Sequence, residues 1–108
     1  MENISYEEFK KLDLKTGKIL KVEDHPDADK LYLVTVDLGD ETRTVIAGIR
    51  PYYAKEDLIG KTAIILANLA PRAIRGIESK GMLLAGLAEG TLGILTADRA
   101  LPPGTKIS

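Results

Sequence analysis

Residues 31–38 and 42–49 are two apolar, β-branched runs held apart by Gly39-Asp40-Glu41, and this arrangement restricts the chain to folds built on antiparallel hairpins. Glycine supplies the positive φ that a tight strand-to-strand turn needs. Upstream, residues 14–25 (LKTGKILKVEDH) change to a period of two through Ile19, Leu20 and Val22, so three strands are predicted in the first half of the chain. Before them, Ser5-Tyr6-Glu7-Glu8 has the form of a capping box, with Phe9 and Leu12 following at helical spacing. A short N-terminal helix is predicted there.

Residues 50–60 hold Pro51, Tyr52, Tyr53 and the polar run Lys55-Glu56-Asp57, which reads as a loop with at most one or two helical turns. Residues 62–67 form a short apolar run suited to a fourth, buried strand. Further strand-like pieces are 81–85 and 92–96, before Pro102-Pro103-Gly104 turns the chain into a short tail. No repeat, linker or low-complexity segment divides the 108 residues, so a single domain over 1–108 is expected. A domain of this size buries about 60 to 70% of the surface its unfolded chain exposes. Many short strands, glycine turns and little helix indicate an all-β fold, and five strands with short helices suit a Greek-key barrel of the OB type.

Composition narrows the chemistry. Cysteine is absent, which excludes disulfides and thiolate metal sites and fits a reducing, cytoplasmic setting. Charged residues interrupt positions 1–20, leaving no apolar run for a signal peptide or membrane span. The lone His25 stands beside Asp27 and Asp29, but zinc favours several sulfur and imidazole donors, so the segment 25–30 reads as a rigid turn that aims Lys30, with no metal and no cofactor. Ser79 lacks a nucleophile elbow, and Met82 stands where a P-loop needs lysine. Catalysis is not expected.

The formal charge of −1 conceals a division within the chain. Residues 1–60 carry nine Lys/Arg against thirteen Asp/Glu, a balance of −4, whereas residues 61–108 carry six against three, a balance of +3. Such a split alone is also what a mixed solvated surface produces. Within the second half, however, 68–85 (NLAPRAIRGIESKGMLLA) sets Arg72, Arg75 and Lys80 against Glu78 alone, between Gly76 and Gly81. Guanidinium forks suit phosphates and base edges, and the glycines allow close approach to the backbone. An anionic partner recognised by a local patch, by shape more than by bulk charge, is the inference. The five aromatic residues are too few for stacking along a single strand; Met82 could be core or pack on one base, and Tyr52 and Tyr53 could both be partly buried under their loop or one could face a partner.

The stretch 68–85, together with His25-Pro26-Asp27-Ala28-Asp29-Lys30-Leu31 and the opening Asp13-Leu14-Lys15-Thr16-Gly17-Lys18-Ile19, closely resembles the tRNA-binding domain at the C-terminus of methionyl-tRNA synthetases. It is also similar to the separately encoded synthetase β-subunit and to the domain of endothelial-monocyte-activating polypeptide. The resemblance covers nearly the whole chain and implies an OB-fold that grips tRNA by shape at the outer corner of the L. It implies a contact set of Lys30, Asn68, Arg72, Arg75, Ser79 and Met82, with Lys80 and Arg43 as weaker members: cations on phosphates, Ser79 and Asn68 on sugar hydroxyls or base edges, and Met82 against a base. It further implies a homodimer, whose contact is expected to use the N-terminal helix and residues 92–108. No synthetase catalytic region is present in the chain, so it is expected either to act in trans, beside a methionyl-tRNA synthetase catalytic chain or as a free carrier, or to be a domain cut from a longer protein, and the Met1 start and the tail favour the former. Relatives of this fold associated with protein export offer an alternative, a chaperone-like module that binds peptides.

Overall fold

The computed structural model describes residues 1–108. Its longest strand, β1 (Leu14–Asp24), serves both halves of a barrel. The later half of β1 pairs antiparallel with β2 (Tyr32–Asp37), and the earlier half pairs with β4 (Thr62–Leu66); Lys18 faces Asp37 on one side and Thr62 on the other. The register with β2 shifts between Ile19 and Lys21, and such a bulge bends a strand so that it can turn the corner of a barrel. Strand β3 (Thr42–Ala47) returns along β2 after the predicted turn, where Gly39 has φ 93° and its N–H donates to Asp37 Oδ1 at 2.8 Å. The resulting sheet runs β3-β2-β1-β4-β7, with β7 being Met82–Leu83.

Closure depends on a few residues just before β7. Lys80 N–H donates to Thr44 O on β3 at 3.1 Å, and the Ser79 hydroxyl accepts from Ile46 N–H, also on β3, at 2.9 Å. Two residues later Leu83 and Met82 pair with Ile65 and Leu66 of β4. The chain changes partner at Gly81, whose φ of 130° lies where L side chains are strained and whose added Cβ would stand 2.9 Å from Leu66 O. The expected all-β, five-stranded OB-type barrel is therefore the fold that forms. Inside it, Ile19, Val34, Val36, Val45, Leu58, Ala63 and Ile65 are fully buried.

Several elements depart from the sequence expectation. The stretch 72–79, read as a recognition surface, is itself a hairpin of β5 (Arg72–Ile74) and β6 (Ile77–Ser79). The strand expected over 81–85 splits into β7 and β8 (Ala85–Ala88), and β8 forms a second hairpin with β9 (Thr91–Ile94). With three or four residues per strand, both hairpins are too short for their periodicity to register over a usable window, although β9 overlaps the strand expected over 92–96. The predicted capping box is present, with Glu8 N–H on Ser5 Oγ and Ser5 N–H on Glu8 Oε1, but α1 (Tyr6–Phe9) buries no residue. The loop 50–60 contributes one 3-10 turn, Lys55–Asp57, and anchors itself through the fully buried Leu58. Of the two tyrosines there, Tyr53 packs against the core and bonds to Ile94 N–H at 3.2 Å, while Tyr52 stays exposed.

The tail after Pro103 is strapped along β1. Thr16, with no solvent exposure, donates through Oγ1 to Pro102 O at 2.8 Å and accepts from Thr105 N–H at 2.9 Å, and Lys15 faces Lys106 across an isolated bridge. Leu92 and Ile94 also pack against the core, so only part of the apolar surface in 92–108 is spare. No helix is long and apolar enough to cross a membrane. Because the Ser79 hydroxyl accepts from the buried Ile46 N–H at the closing seam, Ser79→Ala should lower unfolding free energy by about 1–3 kcal/mol. Urea denaturation followed by far-UV circular dichroism measures this, and an unchanged midpoint would exclude the seam role.

Candidate nucleic-acid interface

The β5–β6 hairpin carries the cationic motif clear of the barrel wall. Across it Arg72 faces Ser79, Ala73 faces Glu78, and Ile74 faces Ile77. Side chains alternate along a strand, so Ile74, Ile77 and Ser79 share the face turned to the barrel, and Arg72 leaves that face at its open end, exposed to solvent. At the tip, Arg75 and Gly76 both have positive φ, 51° and 83°, as a two-residue type I′ turn requires. Glycine or asparagine would satisfy this turn without strain; an arginine there costs about 1–2 kcal/mol. Such strain is concentrated where a side chain has another task.

Three open clefts border this hairpin. One lies between the tip and the turn 25–31, lined by Asp27, Asp29, Lys30, Ile74 and Arg75. A second, largely apolar, runs between the end of β3 and β7, with Ile46, Ile49, Leu84 and Leu92 as walls and Arg72 and Met82 at its rim. The third lies beside the β2–β3 turn and includes Arg43, Asn68, Pro71 and Lys80. The contact residues implied by resemblance thus gather around this hairpin, with Ser79 buried within it. Lys30, Arg72 and Arg75 are exposed and form no ion pair or side-chain hydrogen bond within the chain. Met82 is exposed beside Arg72.

Other members of the set are committed to the fold. Ser79 is only 4% exposed, and its hydroxyl donates to Gly81 O at 3.1 Å besides accepting from Ile46 N–H, so it lies behind the surface. Asn68 is exposed but holds the approach to β1, accepting from Asp13 N–H at 2.9 Å and donating to Lys11 O at 2.6 Å. Arg43 grips Glu41 through Nε at 2.8 Å and Nη2 at 3.1 Å and reaches Ala67 O with Nη1. That hydrogen bonding, and then the guanidinium charge, holds the Glu41 carboxyl below the usual carboxylate range. The pair's small contribution to stability is present at neutral pH and lost as pH falls through that depressed value. Lys80 leans on Glu78 at 3.7 Å, more than half exposed, and is easily released.

Asp27 and Asp29, read from sequence as turn formers, line the same cleft as Lys30 and Arg75, and their carboxylates make no hydrogen bond within the chain. Their nearness to Lys30 was the only available signal, since nothing in the local pattern places residue 75 beside residue 27.

A family described as "Putative tRNA binding domain" matches residues 14–106. The chain belongs to the tRNA-binding domain family. Over 107 residues, 99% of its length, it is 50% identical to a methionine–tRNA ligase of Pyrococcus horikoshii, of which it covers 15%. The chain thus spans about one seventh of the length of the curated relatives it matches. A solved structure of a MetRS related protein from the same organism superposes with a TM-score of 0.92 at 34% identity, covering 100% of both chains. A chaperone CsaA from Bacillus anthracis superposes with a TM-score of 0.90 at 30% identity, covering 99% of this chain and all of that one.

Arg75→Asn should relieve the backbone strain of the turn and raise unfolding free energy by about 0.5–1 kcal/mol. Thermal or urea unfolding measures the gain; a loss of stability would mean that the arginine is held there by contacts within the fold.

Proposed function

We propose that this chain is a non-catalytic module that binds folded tRNA through the β5–β6 hairpin and its bordering clefts. In this reading Arg72, Arg75 and Lys30 neutralise phosphates, Lys80 joins them on release from Glu78, and Met82 rests against an exposed base at the mouth of the apolar cleft. Ser79, Asn68 and Arg43 keep their positions in the fold and act by holding that surface in place. The observation that carries the reading is the gathering of three unpaired cations, Arg72 and Arg75 on the hairpin and Lys30 on the turn across the cleft from Arg75, on a chain whose total charge is −1. A patch of that kind favours a polyanion whose phosphates match its spacing over any polyanion at all.

The likeness to methionine–tRNA ligases supports a role in aminoacylation, with tRNA presented in trans to a catalytic chain of methionyl type in the cytoplasm. A homodimer suits this task, since two small surfaces acting together hold one tRNA far better than either alone. The side chains available for such a contact are Ile4, Tyr6 and Leu12 around α1, with Leu87, Leu95 and Leu101 near the second hairpin, all exposed. Sedimentation at micromolar concentration should give twice the 11.7 kDa chain mass, and Leu87→Lys should reduce it. A single species of chain mass in the unaltered protein would rule the dimer out.

The likeness to the chaperone favours a second reading, in which the apolar cleft beside Met82 takes an extended peptide. Competition separates the two. If four cations meet phosphates, log K against log salt should have a slope of roughly −3, from about 0.7 to 0.9 per charge. Arg72→Ala should weaken tRNA binding roughly tenfold and reduce the slope by about one charge. Peptide binding that excess tRNA leaves untouched, with tRNA affinity indifferent to Arg72→Ala, would favour the chaperone.

A further inference from the structure

We infer that His25 is a positioning residue for tRNA binding: its imidazole ties the β5–β6 hairpin to the turn bearing Lys30 and so fixes the spacing of Lys30 and Arg75 across their shared cleft. The inference rests on the tRNA-binding reading above. His25 is 2% exposed, at the end of β1's excursion into the turn, and each of its ring nitrogens has a different partner. Nδ1 accepts from Asp27 N–H at 3.0 Å, and Nε2 lies 3.0 Å from Ile74 O. A backbone N–H can only donate and a carbonyl can only accept, so the ring is the Nε2-protonated tautomer, accepting from the turn and donating to β5.

The two connections reach the two rims of the cleft. Asp27 belongs to the turn that ends in Lys30, which is closed by His25 N–H on Leu31 O at 3.1 Å and Leu31 N–H on Ala28 O at 3.2 Å. Arg50 braces the same turn from outside, donating to Ala28 O at 3.4 Å and pairing with Asp24 at 3.5 Å. Ile74 is the last residue of β5, immediately before the strained Arg75. No strand pairing joins the hairpin to the turn; β5 and β6 form a sheet of their own. The Nε2 donation to Ile74 O is the one hydrogen bond between the hairpin's tip strand and the turn 25–31. Without it the tip would have no hydrogen bond outside the hairpin nearer than the closing seam at Ser79 and Lys80, several residues away, and its phosphate contact would form with a larger loss of freedom.

The ring's two roles can be removed separately. In His25→Asn the amide oxygen can still accept from Asp27, but nothing reaches Ile74 O; in His25→Gln the longer amide restores a donor near the Nε2 position. We expect His25→Asn to weaken tRNA binding about fivefold or more and to flatten the salt dependence by nearly one charge, with His25→Gln recovering most of both. If the histidine acts through Arg75, adding His25→Asn to Arg75→Ala should change affinity by less than about twofold. Imidazole nitrogen NMR of the unaltered protein should report the Nε2-protonated form, and an Nδ1-protonated ring would overturn the inference whether or not the variants fold. It would equally be overturned if folded His25→Asn bound tRNA with unchanged affinity and salt slope while Arg75→Ala did not. Arg75→Ala that leaves tRNA binding intact would instead sink the tRNA-binding reading of this face, and the positioning role with it.

Discussion

Five strands become a barrel only if the two outer ones are paired, and here a single short segment serves both. Residues 79 and 80 bond to β3, residues 82 and 83 pair with β4, and Gly81 makes the change of direction that a side chain would obstruct. An open sheet of this size would leave two rows of backbone donors and acceptors exposed, with the aggregation risk that entails. The seam also decides where the recognition element stands, because β5 and β6 lead directly into it. The hairpin is held at its base by the barrel's own closure and, next to its tip, by the His25 ring on Ile74 O.

Electrostatics then separates this face from the acidic remainder. In the first half of the chain Lys10, Lys15, Lys21, Arg50 and Lys55 each lie beside a carboxylate. Exposed pairs of that sort contribute little to stability, but they cancel one another's field. The cations of the hairpin and the adjoining turn are left uncompensated, and the carboxylates of Asp27 and Asp29 are near enough to shape the cleft without forming pairs with them. A modest whole-chain charge and a directional local one are therefore compatible. Arginine at the positive-φ tip fits the same scheme, since a residue chosen for the turn alone would be small.

The barrel was legible because its strands are long enough to show alternation: 31–38 and 42–49 declared themselves as a hairpin, and 62–67 as a buried strand. Strands of three or four residues give little such signal: β9 was anticipated only roughly as 92–96, and β5, β6 and β8 emerged only in three dimensions. The cationic cluster was visible as composition, but the division of labour within it was not. Ser79 has the chemistry of a ligand for RNA and the location of a latch, and sequence carries only the first. Likewise Asn68 and Arg43 spend their polar atoms on the backbone of segments far away in the chain, Asn68 on Lys11 and Asp13, and Arg43 on Ala67. His25 read as part of a stiff turn, and its ring is a tie across nearly fifty residues.

The strap of the tail along β1 gives the barrel a further property. With Lys106 beside Lys15 and Ile107 N–H on Leu14 O at 2.8 Å, the strand that begins the barrel and the segment that ends it emerge next to each other. A unit whose entry and exit are neighbours can be joined to a larger polypeptide at either end, or set between two parts of one, without stretching its own framework. Portability of this kind suits a module whose match occupies 15% of a much longer relative, because such a unit can be carried within a larger polypeptide with its own framework intact.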